Sequence, residues 1–144
     1  NLTALFDGAQ LALDDLQAPG KRLVIVASVA GLKGGAMAAP YVASKHGAVG
    51  LVRSLALEFA RTGLTVNAIC PSFVDTPMVD ESAERIARAT GKSVEEARAL
   101  LARTNGNGRL ITVEEVAHSI LQLCHPGASG VNGACVTVDG GTSA

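Results

Sequence analysis

The sequence has 144 residues, of which 48% are hydrophobic and 17% charged, and its formal net charge is −1. A chain of this length and apolar content can bury a core, which excludes a disordered protein. Its near-neutral charge and 3% aromatic content provide neither the basic surface nor the stacking platforms of a nucleic-acid-binding protein. No stretch approaches the roughly 20 apolar residues of a membrane span, so we expect no membrane partner.

Predicted helices and strands alternate along the chain. Apolar residues at helical spacing predict a helix over residues 2–17. The sequence begins inside this helical pattern, so we expect that a preceding part is missing. The valine-rich run at 22–28 predicts a buried strand. There follow a helix over 41–61, a strand at 64–70, short helices at about 79–90 and 94–103, a helix from 112 to about 123 and a last strand, ending in a turn, at 134–141. This order predicts an α/β layered sheet.

The cysteines and histidines give no sign of a disulfide framework or a metal site. Three cysteines, an odd number with no CxxC pair, indicate buried free thiols in a reducing cytoplasm. No histidine has metal-ligand spacing with an acidic residue, so we expect no metal. The six residues concerned are Cys70, Cys124, Cys135, His46, His118 and His125.

The stretch PYVASKHGAVGLV, residues 40–52, places Tyr41 four positions before Lys45 at the start of an apolar helix. Residues at this spacing lie on the same helix face. A free tyrosine has a pKa of about 10, and a nearby ammonium stabilises the phenolate, so such a pair can act as acid and base. The alternative is a surface tyrosine that happens to precede a surface lysine. Ser28, at the end of the first strand, can polarise a carbonyl oxygen or merely cap the strand end.

These motifs, taken in register, resemble the short-chain dehydrogenase/reductase family. The matching segments are Asn1, VIVASVAG around Ser28, YVASK, LTVNAICPSFVDTPM and VTVDGG. The resemblance implies a Rossmann-like, doubly wound parallel sheet in three layers and a catalytic tetrad of Asn1, Ser28, Tyr41 and Lys45. Tyr41 would be the general acid/base and Ser28 would orient the substrate oxygen. Lys45 would bind the nicotinamide ribose and tune Tyr41, and Asn1 would hold the water of a proton relay.

The resemblance also implies a nicotinamide cofactor, NAD or NADP, with NAD favoured. The family's Gly-rich pyrophosphate turn and the residue that selects NAD or NADP belong to its amino-terminal half, which we expect to be missing here. Ser72 stands where the family usually has glycine. The residues expected to contact the cofactor are Tyr41, Lys45, Pro71, Ser72, Phe73, Val74 and Thr76.

The implied reaction interconverts a secondary alcohol and a ketone. The tail at 108–141 resembles members that act on 3-hydroxyacyl or 3-oxoacyl thioesters. We expect one domain, residues 1–144, forming the carboxy-terminal part of a Rossmann-like domain, with residues 75–110 as a substrate lid. Arg103 and Arg109 are candidates to meet an anionic substrate tail, whereas the other charges of the lid, including Asp80, are expected on solvated faces.

The 41–61 helix is apolar around most of its circumference, although one sheet covers only one face. We therefore expect a homodimer or homotetramer formed through the 2–17 and 41–61 helices. Cover by the 2–17 helix of the same chain is the alternative, and both can hold together. A hypothesis from another functional class is that the chain is a non-catalytic fragment or dimerisation module, because it lacks the dinucleotide-binding half.

Overall fold

The computed structural model describes residues 2–16 and 19–144. Three parallel strands, β1 (Arg22–Val26), β2 (Thr65–Pro71) and β3 (Cys135–Val138), form a sheet in the order β1-β2-β3. The register pairs Arg22 with Thr65 at one end of the sheet and Pro71 with Val138 at the other. The predicted parallel sheet is confirmed, with β2 at its centre.

Helices cover both faces of the sheet and give the three-layer α/β arrangement expected of a Rossmann-like fold. Helices α1 (Leu2–Leu16) and α2 (Ala39–Glu58) pack together on one face, while α5 (Val113–Cys124) packs across all three strands from the other. Helices α3 (Pro77–Thr90) and α4 (Val94–Arg103) lie in the connection between β2 and α5. Within the described ranges, no helix is both long and apolar enough to cross a membrane.

Several element boundaries differ from those predicted. The first strand ends at Val26 rather than at 28, because Ser28 turns the chain into a 3₁₀ turn. Helix α2 begins at Ala39 rather than at 41, and Pro40 lies in its first turn. Backbone N–H groups of the first turn have no acceptor within the helix, so proline is tolerated there although it lacks an N–H. Helix α2 ends at Glu58 rather than at 61, and α3 and β3 span 77–90 and 135–138 instead of 79–90 and 134–141.

The main core lies between the sheet and the α1–α2 layer. Every residue of β2 is buried, and Val66, Ala68 and Cys70 point into this core. Helix α2 adds Val52, which is fully buried, and burying a side chain of this size stabilises the fold by about 1.5–3 kcal/mol. Because α1 packs against α2, the expected cover within the chain is present.

Two asparagines connect β2 with the chain that leads into β3. Asn67 is 1% exposed; its Nδ2 donates to Val131 O at 2.8 Å and its Oδ1 accepts from Ala134 N at 3.0 Å. Asn132 Oδ1 in turn accepts from Val66 N at 2.8 Å. These side chains satisfy buried backbone groups that would otherwise be unpaired, and they fix where β3 joins the sheet.

Helices α3 and α4 form a hairpin with a small core of its own. Val79 and Ala83 of α3 pack against Ala97 and Leu101 of α4. Capping boxes are present at the starts of α4 and α5, formed by Ser93 with Glu96 and by Thr112 with Glu115. This hairpin makes up most of the 75–110 region.

The three thiols are free, but not all of them are buried as expected. Cys70 is buried in β2 and Cys135 is partly buried in β3, whereas Cys124 is exposed. Cys124 is the last residue of α5, where its neighbour Leu123 faces the protein and Cys124 faces outward. The expectation of a buried thiol was therefore wrong for Cys124.

Candidate active site

The predicted site residues gather where the parallel strands end. Ser28 follows β1 by two residues, and the segment 71–76 begins at the last residue of β2. Tyr41 and Lys45 lie in the first two turns of α2, the helix that follows β1. Carboxyl ends of parallel strands are the usual position of ligand and active sites in open α/β sheets.

Lys45 joins the start of α2 to the end of β1. Its Nζ donates a hydrogen bond to Val26 O at 3.3 Å and lies 5.7 Å from the centre of the Tyr41 ring. Burial lowers the pKa of Lys45, an effect that the nearby Cys70 opposes. Tyr41 is 37% exposed, so a ligand can reach its ring. A cation beside a phenol stabilises the phenolate, which suits the pair to proton transfer.

Ser28 ties the ends of β1 and β2 together. Its Oγ accepts a hydrogen bond from Ala30 N at 3.1 Å and donates one to Pro71 O at 3.4 Å, and the residue is 8% exposed. It therefore caps a 3₁₀ turn rather than the strand itself. A Cβ on Gly31, the last residue of that turn, would lie 2.6 Å from Lys45 O. Only glycine lets the turn lie this close to α2, which keeps Ser28 and Lys45 in one site.

The segment after β2 leaves the sheet next to Ser28. Ser72 N donates to Val138 O at 3.1 Å, which extends the pairing with β3 by one residue. Phe73 and Val74 are partly buried, and Thr76 is the N-cap of α3, with its Oγ1 bonded to Val74 O at 3.2 Å. The backbone of 73–76 thus borders the same edge of the sheet as Ser28.

The structure brings together three of the four predicted tetrad residues. Lys45 Nζ lies beside the Tyr41 ring and is bonded to Val26 O, and the Gly31 turn that Ser28 caps lies against Lys45 O. Asn1 lies outside the described residues.

Several other predicted or alternative ligands are engaged elsewhere. His46 Nδ1 bonds to Val42 O of its own helix at 3.0 Å, and across residues 2–16 and 19–144 no group of three potential metal ligands comes together. Arg109 forms a bidentate pair with Glu115, with N–O distances of 2.8 and 2.6 Å. The guanidinium of Arg109 is therefore directed at α5, away from the role of an anionic-tail ligand.

Two residues that hold the site were missed by sequence reasoning. Asn105, 2% exposed, bonds to the backbone of Phe73, although it reads as an ordinary turn residue. Arg98 binds Asp75 at 2.5 Å and also Asp80, so Asp80, which the sequence places on a solvated face, is also part of an ion pair. The available signals were an asparagine placed before glycine and an arginine on a helix, and neither specifies a distant partner.

A cavity of about 460 Å³ opens at the carboxyl end of β3. It is lined by residues that follow the Ser28 turn and by residues at and after the end of β3, among them Leu32, Lys33, Thr137 and Asp139. Asp139 is 4% exposed; its burial opposes ionisation, but hydrogen bonds from Ser143 and Gly141 lower its pKa. Because Leu32 directly follows the Ser28 turn, this space adjoins the site.

Comparison with known proteins supports a common origin for the whole chain. Residues 1–143 match the family model described as enoyl-(acyl carrier protein) reductase. A D-beta-hydroxybutyrate dehydrogenase from Cupriavidus necator is 41% identical over 143 residues, which cover 98% of this chain and 55% of that protein. A putative ketoacyl reductase from Streptomyces coelicolor is also 41% identical, over 98% of this chain and 55% of that protein. The chain spans about half the length of the curated relatives it matches.

Solved structures share the fold over the same half. A variant of actinorhodin polyketide ketoreductase, crystallised with NADPH, has a TM-score of 0.83 and 40% identity over 91% of this chain and 49% of that protein. Levodione reductase has a TM-score of 0.88 and 34% identity over 99% of this chain and 54% of that protein. The resemblance seen in the sequence motifs is confirmed, and this chain belongs to the short-chain dehydrogenase/reductase family.

Proposed function

We propose that these 144 residues carry the catalytic part of an NAD(P)-dependent oxidoreductase that interconverts a secondary alcohol and a ketone. The observation that carries the proposal is the Tyr41–Lys45 pair, with the ammonium 5.7 Å from the ring centre and anchored to Val26 O. The adjacent Ser28 and the family membership of the chain support it.

Tyr41 is the proton carrier in this proposal. In the reducing direction its hydroxyl donates a proton to the ketone oxygen, and in the oxidising direction its phenolate accepts the proton from the alcohol. The Lys45 ammonium stabilises that phenolate, and the Ser28 hydroxyl, whose bond to Pro71 O is long at 3.4 Å, donates to the substrate oxygen. Asn1 completes the proposed tetrad by holding the water through which Tyr41 is reprotonated.

The residues present fit the nicotinamide end of a dinucleotide. An ammonium has three donors, and among the described residues Val26 O is the one acceptor that Lys45 meets, which leaves donors for ribose hydroxyls. Tyr41 and the segment formed by Pro71, Ser72, Phe73, Val74 and Thr76 would border the nicotinamide. A bound nicotinamide cofactor supplies or accepts the hydride. The actinorhodin ketoreductase was crystallised with NADPH, whereas we favoured NAD, so binding of both should be measured.

We also propose that residues 1–144 are the carboxy-terminal part of a longer Rossmann-like domain, whose remaining part binds the pyrophosphate. The matched relatives, about twice as long, support this division. Residues 75–110 would form the substrate lid, because the α3–α4 hairpin has its own small core and Arg98 ties it to Asp75 next to the site.

The substrate class we propose is a 3-hydroxyacyl or 3-oxoacyl thioester. The names of two relatives, a putative ketoacyl reductase and a D-beta-hydroxybutyrate dehydrogenase, support oxidation or reduction at the third carbon of an acyl chain. Turnover of acetoacetyl-CoA compared with that of free acetoacetate distinguishes a thioester substrate from a free acid. We expect a higher kcat/KM for the thioester; a preference for the free acid would contradict this substrate class.

A second copy of the chain is the proposed partner. Exposed apolar side chains remain on both helices of the α1–α2 layer: Leu11 is 83% exposed, Leu57 is 81% exposed and Phe6 is 51% exposed. Such side chains support a homodimer or homotetramer through these helices. Sedimentation of the Leu57→Glu variant should show a smaller assembly than wild type.

The three free thiols support a reducing, cytoplasmic setting.

The proposed reaction is tested on the full-length protein by following nicotinamide absorbance with acetoacetyl-CoA and NADH or NADPH. We expect turnover with one of the two cofactors and none for Tyr41→Phe. Ser44→Ala is a matched control, because Ser44 lies on the same helix and its Oγ donates to the backbone oxygen of Tyr41 at 2.7 Å rather than to its side chain. Absence of any dinucleotide binding would contradict the proposal and favour a non-catalytic dimerisation module.

A further inference from the structure

A buried asparagine holds the backbone where the chain leaves the sheet after β2. Asn105 is 2% exposed. Its Oδ1 accepts a hydrogen bond from Phe73 N at 3.2 Å, and its Nδ2 donates one to Phe73 O at 2.9 Å. One side chain thus pairs with both backbone polar groups of a single residue, as a neighbouring strand does in a sheet.

Phe73 needs this partner because β3 has ended. Ser72 N donates to Val138 O, and Val138 is the last residue of β3. One residue further on, within the described residues, the N–H of Phe73 has Asn105 Oδ1 as its acceptor, while the Phe73 carbonyl also accepts from Ile111 N at 3.0 Å. A backbone N–H left unpaired in such a place is unfavourable, so the side chain of Asn105 holds Phe73 in place together with the parallel bridge between Val74 and Ile111.

Asn105 is itself held in one position. The second hydrogen of its Nδ2 is donated to Arg109 O at 2.7 Å, and its backbone N donates to Ala102 O at 3.1 Å. The next residue, Gly106, donates to Asp139 O at 3.0 Å, and a Cβ there would lie 2.3 Å from Gly140 O. The loop after α4 is therefore seated on the end of β3, and the amide cannot swing away from Phe73 without breaking three bonds.

We propose that Asn105 is a positioning residue for the nicotinamide end of the cofactor, an inference that rests on the function proposed above. It holds Phe73, and with the Val74–Ile111 bridge it sets the path of the backbone to Val74 and Thr76, the neighbours that would border the nicotinamide. The same segment is joined to Ser28 through Pro71 O. A shift of this segment moves the nicotinamide relative to the substrate carbon, and misplacement of about 1 Å can cost on the order of 100-fold in rate.

The test uses the full-length enzyme, its preferred reduced nicotinamide dinucleotide, and the matching ADP-ribose, which lacks only the nicotinamide. In the Asn105→Ala variant we expect kcat to fall by about 10- to 100-fold and the dinucleotide to bind more weakly. Binding of ADP-ribose should be unchanged, because the lost bonds act only at the nicotinamide end. Asn107→Ala is the matched control: Asn107 is exposed in the same loop, and its Oδ1 accepts from Arg109 N at 3.3 Å.

Equal weakening of both ligands in Asn105→Ala, or an unchanged kcat, overturns the positioning role. Should that variant fail to fold, Asn105→Ser, which keeps a shorter donor and acceptor, replaces it. A measurement on wild type applies in every case: hydrogen exchange of the 72–76 peptide should slow with the dinucleotide and not with ADP-ribose. Equal protection by both ligands overturns the inference. A wild-type enzyme that binds neither ligand contradicts the proposed function instead.

Discussion

Replacing Lys45 by methionine should slow turnover because it removes the charge that stabilises the Tyr41 phenolate. The ammonium lies 5.7 Å from the centre of the ring. If the phenolate charge is placed at the ring centre, two unit charges at that distance interact by about 3 kcal/mol at an effective dielectric constant of about 20. Since Tyr41 is 37% exposed, solvent screening weakens the interaction. We therefore expect a loss of about 1.4–3 kcal/mol, which is roughly a 10- to 100-fold decrease in kcat.

The assay is steady-state turnover of the full-length enzyme at saturating cofactor. Lys45→Arg keeps the charge and should lose less than Lys45→Met. Lys21→Met is the control, because this exposed lysine precedes the amino end of β1, at the opposite edge of the sheet from Ser28. A Lys45→Met enzyme within about twofold of wild type, a change of less than about 0.5 kcal/mol, would refute the electrostatic role.

Three further predictions concern stability. Burial raises the pKa of Cys70 from 9.0 to about 11, so its contribution to stability, complete below pH 9.0, is lost as the pH rises through 11. Denaturant unfolding of Cys70→Ala should show a shallower alkaline decline than wild type, and parallel declines would contradict this. The Arg109 guanidinium lowers the pKa of Glu115 from 4.5 to about 2, so its contribution is present above pH 4.5 and lost as the pH falls towards 2. The melting temperature of Glu115→Gln should therefore fall less over that range, whereas an unchanged slope would count against the pair. Asn67→Leu removes the side-chain partners of Val131 O and Ala134 N and should lower the free energy of unfolding by about 1–3 kcal/mol in urea titrations; a loss below about 0.5 kcal/mol would exclude a stabilising role for these two hydrogen bonds.

Local sequence signals predicted most of the fold. Glycine and proline marked the ends of elements, and the valine-rich runs of β1 and β2 are typical of strands buried on both faces. The side chains of Tyr41 and Lys45 lie together because their spacing of four is one helical turn, a constraint that is fully local. Boundaries shifted by a few residues where a cap or a turn decides the end, as when Ser28 caps the 3₁₀ turn that follows β1.

Contacts between distant parts of the chain could not be predicted in the same way. Asn105 and Asn107 are both followed by glycine, yet only Asn105 is buried and bonded to Phe73. The difference arises because Gly106 packs against Gly140, just after β3, and this contact exists only once the sheet has formed. Arg98 likewise meets Asp75, 23 residues earlier, only because α4 folds back on α3. The roles of Asn105 and Arg98 depend on how distant elements pack, and the spacing of residues along the sequence does not reveal them.

Turnover of the Tyr41→Phe variant tests the proposed mechanism most directly. Removing the hydroxyl eliminates the proton donor and acceptor but leaves the ring and the Lys45 ammonium beside it. In the full-length enzyme we expect no measurable conversion of the ketone or alcohol, with binding of the nicotinamide dinucleotide retained. Conversion at a rate close to that of wild type would contradict the assignment of Tyr41 as the group that carries the proton.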